Sequence, residues 1–300
     1  MVAATAPVSR SNFLLNLFAV MMAVTLVGAG AAGAGIPAGS TLVLHLPFDD
    51  GTGSAIAEDA TGNGHDGTLV NMDPDTDWVS GHAGLALDFD GTDDYVNVPD
   101  DEALDFGTGD FSVTVWFFKR SATAAWDNNY AFGKWYTGAS PGHNEWCLLV
   151  GTGGQTGDNP TFVVETTEDA RYGVSDPQEA SLNVWHHLIG VRKAETLSLY
   201  VDGILVDRDS SLPADSAINN VGRHFLVAVN SPSAPHVFYT DGLFDDVQIY
   251  DFALSDGDVA VGEVAGGDVG FLYANPGLSL SVFGDGFESG DASRWSSTVP

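Results

Sequence analysis

Cysteine is nearly missing from this 300-residue chain: Cys147 stands alone, so no intrachain disulfide can form. Its neighbours Trp146, Leu148, Leu149 and Val150 mark it as a buried strand thiol rather than a nucleophile. Basic residues are scarce, 10 Lys and Arg against 41 Asp and Glu, for a net charge of −31. A chain with no basic patch has nothing to meet phosphates, which excludes DNA, RNA and anionic lipid as partners. The same acidity makes a well-solvated surface and attracts divalent cations. Long apolar runs are also lacking. Phe13 to Val27 falls short of the ~20 residues a spanning helix needs. It follows the positive Arg10 and precedes Ala32-Gly33-Ala34, an A-x-A site, so residues 1–34 read as a secretory signal cut near Ala34. The expectation is a secreted or cell-surface protein with no membrane association after cleavage.

Glycine (36 residues) and a 44% apolar share are what the chain has in quantity, enough for a real core. The stretch from Trp185 to Val206 is the clearest pattern. Trp185, His187, Ile189 and Val191 alternate on one face, Lys193-Ala194-Glu195 makes a turn, and Leu197, Leu199 and Val201 alternate again. Asp202-Gly203 then suits a two-residue turn, in which both positions need positive φ. The spacing predicts a three-strand meander. Upstream, Leu42, Leu44, Leu46 and Phe48 share a strand face. Leu85–Asp90 and Tyr95–Val98 read as a hairpin. Phe111–Phe118 is apolar on both faces and so belongs at the centre of a sheet covered on both sides. Short strands are expected at Tyr130–Lys134, Glu145–Val150, Thr161–Thr166, Arg223–Val229 and Leu243–Tyr250. Ser255 is expected to cap a short helix over Asp256–Val264. The fold class is all-β: two stacked antiparallel sheets of about seven strands each.

Several runs carry a family resemblance. They are the turn Asp59-Ala60-Thr61-Gly62-Asn63 after a strand ending in Phe48-Asp49, the run A-L-D-F-D-G-T-D-D-Y-V-N-V from Ala86, W-H-H and L-Y-V-D-G in the meander, and F-D-D-V-Q-I-Y-D-F-A-L-S from Phe244. Together, in this order, they resemble laminin G-like domains of the concanavalin A-like lectin/glucanase superfamily over roughly residues 41–264. The resemblance implies a jelly-roll domain over 40–265. Residues 266–300 read as a linker and tail, where D-G-F-E-S-G-D-A-S-R-W is similar to the C-terminal tails of many secreted Gram-negative proteins. It is not a sialidase Asp-box, because Trp295 falls one residue early and Ser293 replaces the glycine.

Three kinds of chemistry are then weighed. Asp245, read on the face of Leu243, Val247 and Ile249, is costly there unless paired or bound to a cation. Family members bind a structural calcium in this region. By that resemblance Asp49, Asp59, Asn63, Asp245 and Asp246 form the candidate calcium set, the alternative being that Asp245 accepts N–H groups of the Asp59–Gly64 loop and no metal binds. Asp73, Asp75 and Asp77 are not an EF-hand, since Trp78 and Gly84 occupy the glycine and glutamate positions. Trp126, Tyr136 and Tyr172, in loop-like context, are the candidate sugar-stacking residues; Trp116 and Trp146 read as core. Enzyme signatures are missing: no E-x-D-x-x-E of jelly-roll glucanases, no H-E-x-x-H, no G-x-S-x-G, and His186 and His187 point to opposite faces. The leading expectation is a non-catalytic module that binds a glycan or an extracellular protein. A structural or adhesive surface protein, and a polysaccharide-active enzyme, stand as alternatives.

Overall fold

The computed structural model describes residues 40–121, 129–135, 144–151, 159–230 and 238–280. Residues 1–39 and 281–300, Trp126 and Tyr136 lie outside them. Two eight-stranded antiparallel sheets stack face to face. The first runs β14 (Ile204–Asp209), β13 (Thr196–Val201), β12 (Trp185–Lys193), β7 (Phe111–Lys119), β16 (Asp241–Tyr250), β5 (Leu85–Asp90), β4 (Trp78–Ser80), with β1 (Leu42–Leu46) also paired to β16. The second runs β11 (Arg171–Ser175), β10 (Thr161–Glu165), β9 (Trp146–Gly151), β8 (Asn129–Gly133), β15 (Phe225–Val227), β6 (Tyr95–Val98), β3 (Gly67–Val70), β2 (Ile56–Ala57).

The meander forms as the alternation requires, with Asp202 and Gly203 at φ 50° and 74° in the tight turn between β13 and β14. The expected hairpin of β5 and β6 does not form: β5 pairs with β16 and β6 with β3 and β15, in opposite sheets. The Asp90–Asp94 corner carries the chain across, held by its own carboxylates. Asp90 Oδ1 accepts the N–H of Thr92, and Asp94 Oδ2 accepts that of Asp90. Loop oxygens thus satisfy the backbone where a ladder would have.

Between the sheets lies the main core, including Leu46, Phe48, Phe89, Val113, Val115, Phe117, Trp146, Phe162 and Leu188. Gly190 on β12 is part of this fit, since a Cβ there would lie 2.6 Å from the Phe162 ring of the facing sheet. Gly190→Ala is therefore expected to lower stability by about 1–3 kcal/mol through overpacking. Urea denaturation measures this directly, and a change within error would show that Phe162 can yield.

A second apolar cluster covers the outer face of the first sheet, which explains why β7 and β12 are apolar on both sides. Ile189, Val191, Tyr200 and Tyr250 pack there under Phe252, Leu254 and the helix α1 (Gly267–Ala274), which buries Val269 and Leu272. The helix thus falls in the stretch read as linker, and Asp256–Val264 is not helical. Gly257, Asp258 and Gly262 adopt φ of 77°, 58° and 90°, which no right-handed helix accommodates. Ser255 does act as a clasp, but on α1: its Oγ donates to Asp268 Oδ2 and accepts the Asp268 N–H, while Asp268 Oδ2 accepts the Ser255 N–H.

Candidate functional site

The strand β16 changes partner halfway, and that change builds the site. Its first half pairs with β5 and its second with β1, with a register shift between Asp245 and Gln248 against β7. Asp246 takes φ 54° at this bulge. The extra residue reverses the alternation. Phe244, Val247 and Ile249 all face the main core, and Asp245 faces outward beside Trp116. The reading that put Asp245 on the face of Val247 and Ile249 is thereby corrected.

Asp245 is nevertheless fully buried, under the loop joining β4 to β5. Its Oδ2 accepts the N–H groups of His82 and Ala83 at 2.8 and 2.9 Å, and its Oδ1 has no hydrogen-bond partner. Burial pushes its carboxyl up to about 7, with the charges of Asp246 and Asp49 adding to the effect and the two N–H bonds opposing it. The other residues of the calcium set go elsewhere. Asp49 Oδ1 accepts the Leu85 N–H. Asp246 is held by His45 Nε2, Gln248 Nε2 and the Gly277 N–H. Asp59 takes the N–H groups of His45, Thr61 and His65 and the Thr61 hydroxyl, closing its own turn. The Asn63 amide donates to the carbonyl of Val43. Among the described residues, the three carboxylates with ligand atoms within 4.8 Å of one another are Asp90, Asp93 and Asp94, already engaged as the inter-sheet corner. The five residues therefore do not converge as one calcium cage. The Asp59–Gly64 loop does not serve Asp245 either; the His82–Ala83 backbone does.

Across the ladder from Asp245 stands Trp116, and beyond it His187. Their rings stack at 4.6 Å, and His82 lies over Trp116 at 3.8 Å. Tyr273 of α1 runs parallel to Trp116 at 5.8 Å, and the part-buried Trp185 lies 5.6 Å from His82 and 5.7 Å from Phe118. His82 is exposed and Tyr273 is 38% exposed, so this aromatic face opens to solvent at the rim of α1. Beneath it, three polar atoms in adjacent strands have no partner: Asp245 Oδ1, Trp116 Nε1 and His187 Nδ1. Burial holds His187 down to about 4, so it is neutral at physiological pH, and its Nε2 shares a hydrogen bond with Thr114 Oγ1 at 2.6 Å. Burial likewise lowers His82. Asp202 closes the far side, accepting the His187 N–H and pairing with His186 Nδ1 at 2.8 Å. Trp116 read as core and is 4% exposed; the face went unread because nothing in the sequence pattern joined His82 and Tyr273 to it. The usable signal was the W-H-H run paired with a Trp-containing strand.

Of the sugar-stacking candidates, Trp126 and Tyr136 lie outside the described residues. Tyr172 sits on β11 opposite Val164 and packs part-buried against the main core, not in a loop. Cys147 is fully buried, and its thiol is pushed well above its usual range by burial. A separate polar cleft of about 420 Å³ lies beside β1, lined by residues including Asn63, His65, Asp101 and Asp251, with no Trp, Tyr or Phe among them. No helix among the described residues is long and apolar enough to cross a membrane.

Two stacked antiparallel sheets with this strand order define a concanavalin A-like sandwich. The family comparison agrees: the model described as the concanavalin A-like lectin/glucanases superfamily matches residues 90–260, and the chain belongs to this family. Among solved structures, the chain is similar to domain 4 of AbnA, a GH43 extracellular arabinanase from Geobacillus stearothermophilus, in complex with arabinotriose (TM-score 0.53, 22% identity, 72% of this chain and 95% of that one). It is also similar to the binding domain of Paraclostridial Mosquitocidal Protein 1 (0.55, 16%, 77% and 51%). A third is the ligand binding domain of botulinum neurotoxin serotype D in complex with N-acetylneuraminic acid (0.52, 10%, 78% and 50%). At these identities the likeness is one of fold, and the chain spans about half of each toxin domain. No curated protein matches it by sequence.

Proposed function

We propose that this protein is a non-catalytic recognition module that binds carbohydrate on the aromatic face formed by Trp116, Trp185 and Tyr273, at which His82 also lies. The observation that carries this reading is the juxtaposition of ring faces with three unpaired buried polar atoms, Asp245 Oδ1, Trp116 Nε1 and His187 Nδ1. Aromatic faces stack on the apolar faces of sugars, while convergent polar groups orient hydroxyls. Neighbours of the same fold, one holding arabinotriose and one N-acetylneuraminic acid, support a glycan as partner. The leader and the acidic surface support action outside the cytoplasm.

The non-catalytic part rests on carboxylate placement. A glycosidase needs two carboxylates facing the scissile bond. Glu145 and Glu165 are fully buried; Glu165 is bound by Asn144, Asn219 and Arg171, and Glu145 by Lys134. Asp245 has the raised pKa of a general acid, but the carboxylates nearest it in the site are engaged: Asp246 by His45, Gln248 and the Gly277 N–H, and Asp202 by His186 and the His187 N–H.

Affinity electrophoresis through gels of neutral polysaccharides tests the proposal. The mature chain is expected to be retarded, and Trp185→Ala, at a part-exposed position, to weaken retention about tenfold, the loss of one stacking ring in a desolvated site. Equal retention of the variant, or none of the wild type, would remove this face from consideration. Release of reducing ends would overturn the non-catalytic part.

A further inference from the structure

We infer that His82 is a displaceable lid over a one-sugar subsite floored by Trp116, and that this subsite takes an uncharged sugar ring and rejects uronic and sialic acids. The inference rests on the carbohydrate reading above and adds to it the ligand's charge class and a residue that competes with it. His82 is solvent-exposed, yet its ring lies 3.8 Å above the Trp116 indole at an interplanar angle of 24°. That is where a stacked sugar ring would sit. The loop beneath does not need to move for the side chain to leave. The N–H groups of His82 and Ala83 stay fixed on Asp245 Oδ2, and Gly81 and Gly84 flank them. Gly84 adopts φ 81°, and a Cβ on Gly81 would meet the Leu85 carbonyl at 2.2 Å. A rotation about the His82 side-chain bonds therefore uncovers the indole while the backbone remains anchored.

Bordering the indole is a mixed set of hydrogen-bonding atoms that lack partners. Trp116 Nε1 donates, Asp245 Oδ1 accepts when ionised, and neutral His187 offers Nδ1 as donor or acceptor according to its tautomer. Hydroxyl groups both donate and accept, so a polyol ring can satisfy all three; buried and unpaired, these atoms are otherwise a standing cost. The charge class follows from the surroundings. Asp202 and Asp246 act on His82 and His187, and Asp245 pairs with Trp116 across the ladder. Along β7 the nearest arginine, Arg120, is already paired with Asp88 at 2.5 Å and with Asp241 at 2.7 Å. A carboxylate on the sugar would meet these acids, with Arg120 already engaged by acids of its own, within a chain of net charge −31.

The test compares the mature chain with His82→Ala and His82→Phe in gels of dextran, xylan or arabinan, and in gels of polygalacturonate and polysialic acid. His82→Ala removes the competing ring and is expected to tighten retention on the neutral polymer that retards wild type by about three- to tenfold, the worth of one ring stack. His82→Phe, which stacks on Trp116 more firmly, is expected to weaken it. No variant is expected to be retained by the polyanions. Weaker retention of His82→Ala would make His82 a contact and overturn the lid, while the carbohydrate reading would stand if Trp185→Ala still lost binding. Preferential retention on a polyanion would overturn the charge class alone. Absence of retention on every gel would overturn both the lid and the reading beneath it.

Discussion

Replacing Lys134 with alanine is expected to cost about 3–5 kcal/mol of stability, a large share of the ~5–15 kcal/mol that holds a typical domain folded. Lys134 follows β8 and its side chain is wholly buried. Its ammonium meets Asp100 at 2.9 Å, Glu145 at 3.0 Å and Asp105. Burial works against the charged form, but the three carboxylates outweigh it and hold the lysine above its ordinary pKa. Glu145 depends on this cation. Burial, with the charge of Asp105 adding to it, raises its carboxyl to about 7 even with Lys134 beside it. The pair joins the β8–β9 hairpin to the 100–105 segment, and Glu145 Oε1 also accepts the Val221 N–H at 3.2 Å. Alanine would leave a buried carboxylate without its counter-charge and a cavity where the lysine stem packed. Lys134→Met combined with Glu145→Gln keeps the volume and the Val221 bond and removes both charges, so it should recover most of the loss. Urea midpoints of the two variants decide the matter. A loss below about 1 kcal/mol for Lys134→Ala would show that solvent reaches Glu145.

The fold was legible wherever apolar alternation ran unbroken, and illegible where a polar turn or bulge interrupted it. The β12–β13–β14 meander could be read from Leu197, Leu199, Val201 and the Asp202-Gly203 turn, because each local preference agrees with the global packing. β11 was missed because R-Y-G-V-S offers only Tyr172 and Val174 to the core, so Tyr172 read as a loop aromatic. The β5–β6 crossing was missed because a strand that pairs within its own sheet and one that leaves for the other have the same alternation; the corner carboxylates alone distinguish them. At the site, Asp245 was read as a carboxylate on the apolar face of its strand; it is fully buried, but on the other face. Its partners were misassigned because period-two counting assumes no bulge, and Asp246 breaks the count. The His82 and Tyr273 rings meet Trp116 and the Trp185 ring meets His82, a juxtaposition that no local pattern encodes.

Asp245 is expected to make the stability of the domain depend strongly on pH. Its carboxyl has an unfolded-state value of 3.8 and is raised to about 7 in the fold, first by burial and then by Asp246 and Asp49, against the pull of the Ala83 and His82 N–H groups. For an acid raised in this way, the folded state holds a proton that the unfolded state releases. The stability is fully present below pH 3.8, declines as pH rises and is lost by the time pH passes about 7. Over that span the loss approaches ~4 kcal/mol at 1.36 kcal/mol per pH unit. Asp245→Asn keeps an acceptor for the two N–H groups and removes the ionisation. Relative to wild type it should be within about 1 kcal/mol near pH 4 and more stable by a few kcal/mol at pH 8. The exposed change Asp215→Asn should show no such pH-dependent difference, which separates Asp245 from the general repulsion in a chain of net charge −31. Calcium gives the converse check. If a cation sat on Asp245 Oδ1, millimolar calcium at pH 8 would restore wild-type stability and leave Asp245→Asn unmoved. The free oxygen lies across the ladder from an indole N–H, and the oxygens of Asp59 and Asp246 are held by other donors. Calcium and magnesium at matched ionic strength are therefore expected to raise the melting temperature equally. A calcium gain that vanishes in Asp245→Asn would instead place the cation at this carboxylate.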